Sequence, residues 1–375
     1  MKRSEMEMIP IAMPYIGDEE ADAVYQQIKS GWITMGERVK EFERLVCDYT
    51  GAKHAIAFNT GTGTLHACLL AAGVKPGDEV LVPANSYISS ANAIVYCNAI
   101  PVFVEENPLT FNVEADAFEA KITPKTKAIM CVDLKGLSID YDAMMAMAAR
   151  HNLKVIADSA ESFGGSYKGK SIGAQADAHS FSLFANKGIT SGEGGLVTTN
   201  DDQINEVVRI VRNQGQTDRY YHTMVGHNYR MTDVTAAFAI PQLNRVNWVI
   251  SEKSKIAAAY QVGFKEHPWI ETPFIPEYVT QHSWYIYSLR LAEHIDRDKV
   301  LVLMREAGVD WRISFPLIPL QPIYREMYGY KEGDFPKSEK IHQSFVDIPC
   351  WVGMTAAQIQ HVIDVVKRSV EAAAR

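Results

Sequence analysis

The chain has 375 residues, 47% of them apolar and 22% charged, and a formal net charge of −8. This is the composition of a globular protein with a sizeable buried core, and it excludes disordered and collagen-like classes. The negative balance repels nucleic-acid phosphates, so an anion has to be bound at a local site, and no stretch is long and apolar enough to read as a membrane span.

From residue 53 to about 200, short apolar runs alternate with amphipathic segments. KHAIAF (53–58) reads as a strand and GTLHACLLAAG (63–73) as a helix; DEVLVP (78–83), ISSANAIVYCNA (88–99) and IPVFVEE (100–106) repeat the pattern. KAIMCVD (127–133), the helical YDAMMAMAARH (141–151) and LKVIADS (153–159) continue it. Such alternation is the signature of repeated βαβ units, and it predicts a mainly parallel sheet with helices on both faces. After Asp201 the segments lengthen into helical INEVVRIVRNQG (204–215) and a long stretch over 231–264 interrupted by Pro241. WYIYSLRL (284–291) then alternates like a strand, DRDKVLVLMREAG (296–308) reads as a helix with a glycine stop, and a Thr355/Gln358 capping box opens a terminal helix. The expected organisation is a large domain over 11–248 and a smaller α+β domain over 249–375, with residues 1–10 packing on the latter.

In open α/β sheets ligands sit beyond the carboxyl ends of the strands, which makes Asn59, Asn85, Asp133 and Asp158 site candidates. Asp158 follows LKVIA and can pair with a protonated ring nitrogen; equally, DSAE is a pattern for a helix N-cap. Lys187, in HSFSLFANKGITSGEGGLVTTND, sits between an apolar strand and a glycine-rich turn, an unusual setting for a residue that is normally solvated. A lysine that forms a Schiff base must lose its proton, and an enclosed site near another cation would lower its pKa as required. Glycines 192, 194 and 195 either allow close approach to a cofactor or form a tight turn.

FNTGTGTLHACLL places glycines and threonines between a strand and a helix, where backbone N–H groups can cradle a phosphate. Gly61 and Gly63 supply GxG, but His66 replaces the third glycine of a dinucleotide fingerprint, so one phosphate fits better than a pyrophosphate. Tyr87 lies past another strand end and can stack on a flat ring or serve as a core aromatic; Ser182 can reach a phosphate or simply alternate outward on its strand. The histidines show no HExxH spacing and no GxSxG elbow is present, so metal and serine hydrolases lack support and no metal is expected. Five cysteines, odd in number and without a CxxC pair, read as reduced, mostly buried thiols, and the N-terminal stretch has no apolar core of signal-peptide length. The expectation is a cytoplasmic protein.

Taken together, GWITMGERVKEFE, NTGTGTLHACLLAAGVKPGDEVLVP, ITPKTKAI, ADSAESFGGSYKGKSIG, FANKGITSGEGGLVTTND and GHNYRMTDVTAAFAIPQL resemble the sugar aminotransferase family named after DegT, DnrJ, EryC1 and StrS, in particular its perosamine-synthase-like branch. The resemblance runs from about residue 9 to the C-terminus, with the six blocks in the family's order. It implies the aspartate-aminotransferase-type fold (fold type I, α/β), pyridoxal 5′-phosphate as cofactor, and a homodimer with shared active sites. It places the cofactor-bonded lysine at Lys187, the ring-nitrogen partner at Asp158, phosphate contacts at Gly61, Thr62 and Ser182, the stacking aromatic at Tyr87, and a residue reaching in from the second subunit at Asn228. Glu161 follows as a neighbour of the ring hydroxyl or a supporting residue behind it. The implied reaction moves an amino group from an amino acid, by analogy glutamate, to a keto-sugar or nucleotide-linked keto-deoxysugar. The alternatives are a pyridoxal-phosphate-dependent dehydratase or lyase and a non-catalytic, regulatory cofactor-binding protein. Two regions depart from the family pattern near the acceptor site: DLKG (133–136) stands where relatives read HLYG, and FPLIPLQPIY (315–324) carries Pro316 and Pro319 where relatives often carry histidines.

Overall fold

The computed structural model describes residues 8–374. Seven strands form the central sheet: β1 (His54–Phe58), β2 (Glu79–Pro83), β3 (Ile100–Val104), β4 (Thr126–Val132), β5 (Lys154–Asp158), β6 (Ala178–Ser182) and β7 (Gly195–Thr199), in the order β1-β7-β6-β5-β4-β2-β3. Pairing is parallel from β3 through β2, β4 and β5 to β6, while β7 runs antiparallel to both of its neighbours. The expected mainly parallel sheet is present, with one reversed strand that places the turn after Lys187 beside the start of the helix Gly61–Ala71.

The period of two along each strand divides its side chains between two cores. Ala55, Leu81, Ile129, Cys131, Val155, Ala157 and Phe181 face one cluster with the helices Glu37–Thr50 and Tyr141–Arg150; Ile56, Phe58, Val80, Val82, Met130 and Ile156 face the other with Gly61–Ala71 and Asp202–Arg212. Each fully buried Ile or Phe contributes about 1.5–3 kcal/mol, which fixes the strand register and therefore where each strand ends.

A second, three-stranded antiparallel sheet joins β8 (Ile270–Glu271), β9 (Tyr287–Leu291) and β10 (Phe345–Ile348), and packs its own core of Tyr260, Tyr287, Leu289, Val300, Val346, Val362 and Val366. The helix Val246–Phe264 serves both parts: Val246 and Ile250 join a core of the large sheet, whereas Tyr260 and Phe264 join that of the small one. The expected interruption at Pro241 does not occur there; the helix Asp233–Asn244 runs through Pro241 and ends at Arg245. Thr355 and Gln358 form the capping box that the sequence predicts. Of residues 1–10, 1–7 lie outside the described residues, while Ile9 donates to Gly308 O at 2.9 Å and its side chain joins the core of the small sheet.

Candidate active site

A cavity of about 440 Å³ opens at the carboxyl ends of the parallel strands. Gly61, Thr62, Tyr87, Asp158, Glu161, Ser182 and Lys187 all line it. Larger clefts of about 510 and 1020 Å³ lie elsewhere, against Asp140 and Arg150 in one case and Glu105 and Lys340 in the other, away from this lysine and aspartate. Of the other strand-end candidates, none lines the cavity. Asn59 turns to Asn228 O at 3.2 Å, Asn85 is buried, and Asp133 is enclosed by the hydroxyls of Tyr141, Ser159 and Ser162 at 2.6, 2.8 and 2.7 Å.

Asp158 is the last residue of β5, and the residues after it make turns, so it caps no helix. Among the described residues its carboxylate accepts from the Ser90 hydroxyl at 2.7 Å and the Ala160 N–H at 3.3 Å. Burial pushes its pKa up to about 6 against these bonds. A buried carboxylate with no cation hydrogen-bonded to it is suited to a protonated ring nitrogen, which would bring that pKa down again.

Lys187 lies in the turn after β6, its side chain largely buried and its amine 3.2 Å from Glu161 Oε1. Here the structure corrects the sequence reading. Burial is the largest single influence and lowers the lysine pKa, but Glu161, Tyr285 and Asp158 together outweigh it, so the pKa of the free amine is raised. The lowered pKa expected from the sequence is not found, although a second cation, Lys253, is near enough to feel the charge of Lys187. The Lys187 amine also lies 4.1 Å from the centre of the Tyr285 ring.

At the other end of the cavity the helix Gly61–Ala71 begins with no side-chain cap, which leaves first-turn N–H donors for an anion. A side chain at 61 would bring its Cβ to 3.2 Å from Ser182 Cβ, so glycine keeps this cradle open. Thr62 Oγ1 pairs with Ser89 Oγ at 2.8 Å. The glycines of the turn divide their work: Gly192, at φ 81°, turns the chain, and Gly195 lets β7 lie against the Thr60–Gly61 backbone, where a Cβ would come within 2.7 Å of Thr60 O.

Tyr87 is exposed at the cavity rim, its ring centre 5.4 Å from that of Phe315. Phe315, Arg312 and Tyr285 form the wall opposite β5. Sequence reasoning missed Tyr285 and Arg312, which stand in no recognisable motif; Phe315 was in the departing segment, but attention fell on Pro316 and Pro319, which do not line the cavity. Asn228 does not line it either; it is exposed and bridges Asn213.

The residues present fit pyridoxal phosphate. A buried carboxylate with no cation hydrogen-bonded to it shares the cavity with a lysine, and a helix start with free donors, kept open by Gly61, can take one phosphate.

The profile of the DegT/DnrJ/EryC1/StrS aminotransferase family matches residues 14–367. The chain is 39% identical to GDP-perosamine synthase of Caulobacter vibrioides, over 96% of this chain and 98% of that protein. Its structure superposes on the pyridoxal-phosphate form of the putative sugar aminotransferase Spr1654 from Streptococcus pneumoniae with a TM-score of 0.93 at 27% identity, covering 98% and 100% of the two chains. DesV from S. venezuelae gives 0.90 at 30% identity, covering 94% and 95%. The chain therefore belongs to the DegT/DnrJ/EryC1/StrS aminotransferase family and is a pyridoxal-phosphate-dependent aminotransferase.

Proposed function

We propose that this enzyme moves an amino group from glutamate to the ketone of a nucleotide-linked deoxysugar, with Lys187 and Asp158 as its catalytic residues. The observation that carries the residue assignment is the pairing of a buried Asp158, with no cation hydrogen-bonded to it, and a largely buried Lys187 in one cavity. The name of the Caulobacter relative supports a nucleotide-linked sugar as acceptor.

Bound pyridoxal phosphate supplies the electron sink that lets an amino donor release its α-proton. Asp158 keeps a proton on the ring nitrogen and so maintains that sink. Lys187 would hold the cofactor through Nζ, and that nitrogen, when released as the neutral amine, would carry a proton from the donor α-carbon and later deliver one to the acceptor carbon. Glu161, 3.2 Å from Nζ, stabilises the ammonium that results from the first transfer. Gly61, Thr62 and Ser182 would hold the phosphate, and Tyr87 would cover the ring.

The same reading makes the protein a cytoplasmic homodimer in which Asn228 completes the phosphate site of the other subunit. Asn228 is exposed, and the adjoining hairpin exposes Tyr220, Tyr221 and Val225, an apolar surface that a second copy would cover. No helix among the described residues is long and apolar enough to cross a membrane. The division into domains at 248/249 is supported by the seven-stranded and the Ile270–Glu271/Tyr287–Leu291/Phe345–Ile348 sheets having their own main cores, with the helix Val246–Phe264 as the shared strut. Val279–Gln281, which pairs with Ser166–Tyr167, and Ile318, Tyr324 and Phe335, which join a core of the large sheet, tie the two parts together.

Glutamate with a panel of nucleotide-linked keto-sugars tests the reaction. One 2-oxoglutarate formed per acceptor aminated is expected; turnover of a sugar without glutamate would indicate a lyase, and cofactor binding without any turnover a regulatory protein. Shared sites are tested by mixing a Lys187→Ala variant with an Asn228→Ala variant. Subunit exchange should give heterodimers with one intact site and activity above either parent. Verified exchange without recovery would return Asn228 to its own chain.

A further inference from the structure

Lys135 and Asp347 were not expected to touch, yet they form a buried ion pair of 2.9 Å between the turn after β4 and strand β10. Lys135 adopts a left-handed conformation, φ 61° and ψ 7°, that a residue with a side chain rarely takes. That turn aims its two donors at different carboxylates. The backbone N–H donates to Glu161 Oε2 at 2.7 Å, and Nζ runs to Asp347 through a cage in which the Phe345 ring centre is 3.8 Å away.

Asp347 is fully buried and also accepts from the hydroxyls of Ser288 and Ser314. Burial would raise its pKa, but Lys135 and Arg312 hold it below the usual range, so it stays charged. Arg312 is joined to Asp347 by two backbone hydrogen bonds, of 3.2 and 2.9 Å. Its Nε lies 3.9 Å from Asp347 Oδ2, is buried, and has no hydrogen-bond partner among the described residues. Its Nη1 donates to the Tyr285 hydroxyl at 3.1 Å, and the guanidinium centre is 5.0 Å from the ring whose centre is 4.1 Å from the Lys187 amine. The contacts thus close into a ring: Lys187, Glu161, Lys135, Asp347, Arg312, Tyr285 and back to Lys187.

We propose that Lys135 and Asp347 are positioning residues whose buried pair holds the Arg312 guanidinium on the cavity wall, where it receives a carboxylate of the amino donor. Lys135 occupies Oδ1 of Asp347, so Asp347 steadies Arg312 without withdrawing it into a full salt bridge. An amino acid carries its α-carboxylate on the same carbon as the nitrogen exchanged at Lys187, so both charges fall within one small cavity. The phosphates of a nucleotide sugar are separated from the reacting ketone by the sugar ring.

The inference rests on the aminotransferase reading for the donor, and its test does not depend on turnover. Glutarate, an unreactive dicarboxylate, is titrated calorimetrically into the cofactor-loaded protein. Charge-assisted hydrogen bonds contribute about 1.5–3 kcal/mol, so Arg312→Met should weaken glutarate roughly 10- to 100-fold, with Arg312→Lys intermediate. Lys135→Met should weaken it roughly tenfold, in line with the lower end of that range, at unchanged affinity for pyridoxal phosphate. Should the unpaired Asp347 prevent Lys135→Met from folding, Lys135→Met with Asp347→Asn removes both charges and should fold. It too should bind glutarate weakly. A merely structural pair would lower thermal stability and leave glutarate affinity unchanged in whichever variant folds, which would overturn the positioning role. Unchanged binding in Arg312→Met, or no binding by the parent protein, would overturn the receptor itself. A parallel titration with GDP separates the two anions, because a loss confined to GDP would reassign Arg312 to the nucleotide. Failure of glutamate to form 2-oxoglutarate would instead strike the functional reading alone.

Discussion

The floor and the wall of the cavity are built on different principles. The floor comes from strand ends of one sheet, and its central carboxylate is left without an ionic partner: Asp158 takes hydrogen bonds from Ser90 and Ala160. The wall joins residues from distant stretches, and its buried carboxylate is compensated from several sides, with Asp347 shared by Lys135, Arg312 and two serines. An uncompensated buried charge is costly in the free protein, and it fits a site where a cofactor brings the missing charge. A compensated network fits a part that must hold its shape before any ligand arrives.

If this contrast is right, substitutions in the floor should cost chemistry at little cost in stability. The largest effect is expected from Lys187→Ala, which should lower glutamate turnover by about 10²–10⁴-fold or more, the range of a lost proton-transfer group with the covalent tether removed as well. Borohydride treatment of the parent should fix the cofactor on the peptide containing Lys187; a label on any other lysine would remove it from the role. Next comes Asp158→Asn. Turnover should fall roughly 10²–10³-fold, the scale of losing one preorganised electrostatic contact, while the cofactor still binds. The variant should also gain stability in the cofactor-free protein near neutral pH. The folded pKa of Asp158, about 6, lies above its ordinary 3.8, so stability tied to the protonated acid is present below about pH 4 and is lost as pH rises through 6. Denaturation midpoints of both proteins at pH 4 and pH 8 check this; near-normal turnover would show that Asp158 is not the ring-nitrogen partner.

The same contrast explains what could be read from the sequence. Alternating apolar runs located the sheet, and the residues just past its strands located much of the floor, because a strand end and its side chain are set by the same local pattern. That rule marks a position, however, and not a direction. Asn85 and Asp133 also follow strands, but Asp133 is taken up by Tyr141, Ser159 and Ser162, and the Asn85 backbone N–H is held by Glu106. The wall was illegible for a different reason: Lys135 and Asp347 are 212 residues apart, and nothing in either segment announces the other. DLKG did stand out as a departure, yet its lysine turned out to be tied to the far strand β10 and does not line the cavity.

The smallest expected effect lies outside the cavity, at the seam where the end of β3 meets the helix Pro336–Ser344. Glu106 follows β3 and is buried; one of its oxygens accepts from the Asn85 N–H and the other from the Ser338 hydroxyl of the helix Pro336–Ser344. Burial is the main reason its pKa rises to about 7, the bonds from Ser338 and Asn85 oppose the rise, and neighbouring Glu105 adds to it. The sign follows from proton binding. Below about pH 4.5, its ordinary value, the acid is protonated folded or unfolded; between 4.5 and 7 the folded state binds the extra proton, so stability falls as pH rises through 7. At about 1.4 kcal/mol per pKa unit, the ionised form costs the protein roughly 3 kcal/mol at pH 8 relative to pH 4. A glutamine has nearly the same shape, can accept from the Asn85 N–H, and can donate to the Ser338 oxygen, so Glu106→Gln should keep the seam intact without its pH dependence. Urea midpoints measured at pH 5, 6, 7 and 8 should show the variant drawing ahead of the parent as pH rises, with glutamate turnover unchanged. Parallel curves would mean that Glu106 ionises without penalty, and would place the seam with the wall as a region whose charges are already satisfied.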